Sequence, residues 1–157
     1  MPGAKILLIA GADTPAGRCI AEALADCGHT VYACMPDICG IHQEMARSLI
    51  ETALVRHLDL HILALDVLSD ESLDTLFKQV RAERRHVDAF IDCTRSRQIS
   101  ASGLQKLAAA VQQLLAKDAS TWPPDMEQHG IIWKDLLAHH SSHGGSILQK
   151  HYAKIKP

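Results

Sequence analysis

Residues 5–10, KILLIA, form a continuous apolar run, and the segment Gly11 to Gly17 follows it without a spacer. A run this short and this apolar suits a strand covered on both faces. From about Pro15 to Cys27 the pattern becomes helical, with Cys19, Ile20, Ala23 and Leu24 on one stripe, and Gly28 supplies a stop. The alternation then repeats. TVYAC (30–34) reads as a second strand; Pro36, Asp37 and Gly40 break it; residues 42–56 carry Met45, Leu49, Thr52 and Ala53 at helical spacing. A third strand spans about 60–65 and leads into Asp66. Ser69 or Asp70 caps the next helix, which turns Leu73, Leu76, Phe77 and Val80 inward. Val87 to Ile91 gives a fourth strand, Ser102 to about Lys117 a long helix, and GIIW (130–133) a fifth strand. Strands alternating with helices predict an α/β fold. Right-handed crossovers make it a doubly wound, mostly parallel sheet of about five strands with helices on both faces. That domain covers residues 1–134. Residues 135–157 lack clear periodicity, although SILQKHYAKIKP permits a final helix.

Composition narrows the function classes. Sixteen Lys plus Arg against 18 Asp plus Glu give a formal net charge of -2, which builds no positive field for nucleic acid. The run Ile6 to Ala10 is too short for a membrane span or a secretory signal core. The five cysteines are odd in number and form no CxxC pair, which predicts mostly buried thiols in a reducing, cytoplasmic setting and no metal held by them.

Several residues point to ligand chemistry. The turn containing Gly11, Asp13, Thr14 and Gly17 lies between a strand and a helix, where a glycine lets backbone approach a diphosphate and the helix start offers N–H groups. The alternative is an ordinary tight turn with Pro15 as helix starter. Asp66, at the end of the third strand, suits either an adenine amino group or backbone capping. Asp88 reads as a structural residue. Cys93 follows the fourth strand, where ligands gather in open α/β sheets, and reads there as a buried thiol rather than a nucleophile. His139, His140 and His143 contain an i, i+4 pair, yet the serines and glycines around them favour a solvated loop. Tyr152 and Lys156 would share a helix face, an arrangement that favours the phenolate, unless they belong to a frayed tail.

From Ala4 to about Thr94 the chain resembles the short-chain dehydrogenase/reductase family. Ala10–Gly11 and Gly17 match the first and last glycines of its TGxxxGxG turn, with Pro15 in place of the middle one. Asp66–Val67 is similar to the family's Asp-Val after strand three, and TVYAC, LALDV and VDAFIDC share its rhythm. The resemblance implies a Rossmann-like domain that binds NAD or NADP through Gly11, Asp13, Thr14, Gly17, Asp37, Asp66, Val67 and Cys93. Asp37, after the second strand, leans towards NAD. An alcohol or ketone would be the substrate, with Tyr152 as acid/base, Lys156 lowering its pKa, and Ser141 or Ser142 orienting the oxygen. The departures are specific. Asp92, Cys93, Thr94 and Arg95 stand where the family has NNAG. Counting back from Tyr152 to the serine position reaches His139, and Gln112 is the nearest polar residue to the catalytic asparagine. Family members are also longer.

Three functions follow. The first is a shortened, weakly active or inactive NAD(P)-binding protein that acts through a partner. The second is an active alcohol/ketone oxidoreductase. The third is an α/β interaction module without nucleotide. In each, a homo-oligomer or a partner protein covers the incomplete sheet.

Overall fold

The computed structural model describes residues 4–84, 88–94 and 131–134. These residues form β1 (Ile6–Ala10), α1 (Pro15–Asp26), β2 (Thr30–Met35), α2 (Gln43–Arg56), β3 (Leu60–Ala64), α3 (Asp70–Arg84), β4 (Ala89–Asp92) and β5 (Ile131–Lys134). The helix expected over 102–117 and the segment 135–157 lie outside the described residues. The sheet order is β3-β2-β1-β4-β5. β1 pairs in parallel with both β2 and β4, and β2 with β3. The doubly wound α/β arrangement read from the sequence is therefore present. β5 runs antiparallel to β4, placing Ile131 opposite Asp92. An antiparallel edge strand on a parallel sheet is a common variation of such folds.

The two faces explain why KILLIA is apolar throughout. Leu7 and Ile9 pack on one side with Ile20 and Leu24 of α1 and Leu49 of α2. Leu8 and Ala10 pack on the other with Tyr32, Phe90, and Leu73, Leu76 and Val80 of α3. These four of the five β1 side chains are fully buried, and Ile6 is half-buried. At about 25 cal/mol per Å² of apolar area, such burial on both faces makes this strand the centre of the hydrophobic stabilisation.

The buried stripe of α1 differs in detail from the spacing read above. It consists of Ala16, Gly17, Ile20, Ala21, Leu24 and Ala25, while Cys19 and Ala23 are half-buried. Small residues dominate the buried face, so the helix sits close to the sheet. α2 buries Ala46, Leu49 and Ala53 and leaves Met45 and Thr52 half-buried. Ser69 caps α3: its Oγ accepts the Ser72 N–H at 3.1 Å. Asp88 is structural, as its place before β4 suggests. Its carboxylate accepts the Ile6 N–H at 2.8 Å, and its own N–H donates to the Ile6 carbonyl at 2.8 Å, which sets β4 in register on β1.

The thiols depart from the sequence expectation. Cys34 and Cys93 are buried, Cys19 is half-buried, and Cys27 and Cys39 are exposed. Cys27 is the C-cap of α1, beyond its buried stripe, and Cys39 lies in the turn before α2. Among the described residues no helix is long and apolar enough to cross a membrane.

α1 stops before Gly28, which takes φ +91° freely, whereas α2 stops at His57 with φ +54°. A side chain in that left-handed region costs about 1 kcal/mol relative to glycine. His57→Gly is expected to stabilise the protein by about 0.5–1 kcal/mol, measured as an upward shift of the urea midpoint at unchanged m-value. A lower midpoint would contradict this account of the helix end.

Candidate functional site

The strand order reverses at β1: β2 and β3 extend to one side, and β4 lies on the other. Open α/β sheets bind ligands beyond the carboxyl ends of the strands at such a switch point. A cleft of about 180 Å³ lies there. Gly11, Thr14 and Thr94 form its polar base, Asp13 and Asp66 contribute carboxylates, and Pro36, Leu65, Val67 and Leu68 line an apolar wall.

The turn that closes one end is packed tightly. Gly11 has φ +79°, and a Cβ there would stand 2.6 Å from the Thr94 nitrogen. A Cβ on Gly17 would overlap the Gly11 carbonyl oxygen and lie 3.0 Å from Ala12 Cα. Both glycines are thus required by contacts within the protein. Pro15 occupies the intervening glycine position of the motif and starts α1.

Thr14 is the N-cap. Its Oγ1 accepts the Gly17 N–H at 3.0 Å and donates to the Gly11 carbonyl at 2.7 Å. The Arg18 N–H bonds to the Thr14 carbonyl at 3.0 Å. Pro15 has no N–H. The Ala16 N–H is the remaining donor of the first turn. A helix start that ordinarily offers several donors to an anion is here largely satisfied by its own residues.

The other expected site residues divide into two groups. Asp66 and Val67 line the cleft. Asp66 Oδ1 also accepts the Leu68 N–H at 3.0 Å, and Ser72 Oγ accepts the Asp66 N–H at 2.9 Å. Asp37 and Cys93 are not among the lining residues. Asp37 is exposed with φ +48°, and its carboxylate accepts the Ile41 N–H at 3.0 Å, which closes the turn into α2. The Cys93 side chain is buried with the α1 and α2 core, and Thr94 takes the lining position beside it. Burial pushes the Cys93 thiol up to about 12, with the Asp92 carboxylate acting in the same direction. Asp92 itself is buried and accepts the Thr94 N–H at 2.9 Å and the Thr94 hydroxyl at 2.6 Å. Tyr152, Lys156 and Ser141, with Ser142, His139, His140, His143 and Gln112, lie outside the described residues.

A histidine that touches two of the lining residues was not read from the sequence. His42, before α2, places Nε2 3.5 Å from Asp13 Oδ2 and Nδ1 2.7 Å from the Pro36 carbonyl oxygen. The available clue was topological. In a doubly wound sheet the loop after β2 lies beside the turn after β1, so a polar residue just beyond Pro36 can reach that turn.

No protein-family model matches the chain, and no curated protein matches it. Solved structures do. A variant of actinorhodin polyketide ketoreductase with NADPH is 21% identical with TM-score 0.51, over 60% of this chain and 34% of that one. The protein gox2181 is 18% identical with TM-score 0.50, over 67% and 42%. A short-chain dehydrogenase from Streptomyces avermitilis is 27% identical with TM-score 0.46, over 56% and 29%. The matched part of this chain spans less than half the length of each. The ketoreductase and gox2181 share its Rossmann-like fold.

Two measurements test this geometry. Gly17→Ala is expected to destabilise the fold by about 1–3 kcal/mol through overpacking against the Gly11 carbonyl. Thr14→Ala should cost about 1 kcal/mol through loss of the cap. Equal stability of Gly17→Ala and wild type in urea would contradict the close approach. The second measurement concerns the thiols. Burial pushes Cys34, like Cys93, up to about 12 from an ordinary 9.0. The folded state retains these protons where the unfolded chain releases them. Their contribution to stability is therefore full below pH 9.0 and is lost as the pH rises towards 12. Iodoacetamide at about pH 8 should label Cys27 and Cys39 in the native protein, and Cys34 and Cys93 only in denaturant. Native labelling of Cys93 at the rate of Cys39 would contradict it.

Proposed function

We propose that the cleft binds a nicotinamide dinucleotide, NAD in preference to NADP, with a weakened hold on the diphosphate, and that the protein acts with a partner rather than as a self-sufficient oxidoreductase. The observation that carries this reading is the cleft's position at the switch point, between the Gly11–Gly17 turn and the Asp66–Leu68 loop. Adenine would lie against Leu65, Val67 and Leu68, and its amino group would donate to Asp66. The weak diphosphate hold is supported by Pro15, by the Thr14 bonds that occupy the helix start, and by the Asp13 carboxylate beside it. The preference for NAD is supported by Asp13 and Asp66 in the lining, which carries no Lys or Arg among the described residues. A 2′-phosphate would enter a negative field there.

The partner, a second copy or another protein, is supported by exposed apolar side chains. Leu54 and Val55 of α2 are 70% and 79% exposed, and Ile41 before it is 85% exposed. The exposed thiols Cys27 and Cys39 suit a reducing, cytoplasmic setting.

Titration with NADH and NADPH, followed by nucleotide fluorescence and calorimetry, tests the reading. NADH is expected to bind at least about 10-fold more tightly than NADPH. Pro15→Gly should strengthen NADH binding about 10-fold by returning an N–H to the anion. Absence of binding of either nucleotide up to about millimolar concentration, in both wild type and Pro15→Gly, would overturn it.

A further inference from the structure

Among the described residues β3 has β2 as its single neighbour in the sheet. The Asp59 carbonyl accepts the Val31 N–H at 2.9 Å, and the Leu65 N–H donates to the Met35 carbonyl at 3.0 Å. The ladder between them uses Asp59, His61, Leu63 and Leu65, so Leu60, Ile62 and Ala64 turn their N–H and C=O groups away from β2. Free edges in native sheets are ordinarily guarded by Lys, Pro or a bulge. β3 reads LHILA and pairs with β2 residue for residue, so it carries none of these. Beside it, α2 brings Gln43, Arg47, Ile50, Glu51 and Leu54 to one side through their spacing of three and four. The first four of these and Ile62 of β3 line a groove of about 300 Å³. Ile50 and Leu54 are 46% and 70% exposed. Arg47 pairs at 3.5 Å with Glu44 on the surface, and Glu51, also exposed, has no ion pair among the described residues.

We propose that a second copy of the chain docks on this face: β3 pairs antiparallel with the partner's β3 about a two-fold axis at Ile62, and the two α2 helices pack antiparallel beside that axis. The inference names the partner that the proposed function leaves open and rests on that half of it. The axis decides which residues meet. Ile62 pairs with its own copy and Leu60 with the partner's Ala64, so the outward N–H and C=O groups satisfy one another. His61 meets the partner's Leu63 and Asp59 the partner's Leu65, so no like charges stand opposite. Ile62 and Ile50 share the groove, so the same axis brings α2 against α2. Ile50 and Leu54 of both copies are then covered, and Arg47 lies beside the partner's Glu51. A closed two-fold contact must be complementary to itself. A stripe with a cation and an anion one turn apart meets that condition when the helices run antiparallel; in parallel, like charges would adjoin. A strand from another protein could satisfy the backbone edge, but the opposed charges of Arg47 and Glu51 suit a copy of the same face.

Sedimentation equilibrium and light scattering on the full chain test the contact. Wild type should dimerise with a dissociation constant of about 10 µM or tighter. Arg47→Glu and Glu51→Arg change exposed side chains and leave the core intact. Each should raise that constant at least about 10-fold, because the two-fold repeats every repulsion, and the double exchange should restore it. Amide hydrogen exchange over residues 60–64 should be slow in the dimer and faster in either single variant. NADH titration of the same variants keeps the nucleotide half separate, since neither Arg47 nor Glu51 lines the cleft. A dimer indifferent to both reversals, or one that the double exchange does not restore, would overturn the inference and leave the partner half of the proposed function standing on another face. A monomer at about 100 µM would overturn the inference and leave the edge to a strand of another protein.

Discussion

Helix α1 begins so close to the turn before it that Gly17 rests against the Gly11 carbonyl, and Gly11 in turn rests against the backbone of Thr94. Three segments meet there with no room for a methyl group: the end of β1, the start of α1 and the exit of β4. This contact sets the depth at which α1 lies on the sheet, and Ala16, Ala21 and Ala25 continue the close approach along the helix. It also fixes β4 beside β1 at its carboxyl end, as Asp88 fixes it at the other. The cleft is what remains above this junction.

The same economy of space shapes the electrostatics. Thr14 is bonded to Gly11 and Gly17, Pro15 contributes no donor, and Asp13 adds a negative charge. A helix dipole still points at the cleft, but most of the N–H groups through which it would act are already paired. His42 Nε2 lies 3.5 Å from Asp13 Oδ2. The turn between β1 and α1 thus meets the cleft with a carboxylate and with its helix start largely bonded to its own residues.

The fold was legible because its signal is repeated and local. Each strand is a short apolar run, and each helix has a recognisable stop or cap. The registers follow because β1 is buried on both faces. Local pattern misjudged the α1 stripe, since alanines and glycines contribute little to periodicity yet take the buried positions. The site was less legible. Gly11 and Gly17 were visible as a motif, but the motif does not distinguish glycines that admit a ligand from glycines that admit another part of the chain. Asp37 takes a left-handed backbone and accepts the Ile41 N–H, and neither feature is encoded by its place after β2. His42 depends on a contact between two loops, which no spacing along the chain encodes.

The sheet order also has a consequence for assembly. β2 and β3 follow β1 closely in sequence, whereas the Ile6–Asp88 bond joins residues 82 positions apart. As the chain emerges during synthesis, β1 can acquire one neighbour early and must wait for β4 before its other edge is paired. During that wait Leu7, Leu8 and Ile9 belong to an apolar strand with an unprotected row of N–H and C=O groups, the kind of edge that recruits other chains. The central strand of the native sheet is thus an edge strand of the nascent one, and the interval before Ala89–Asp92 emerges is when this chain is most exposed to aggregation.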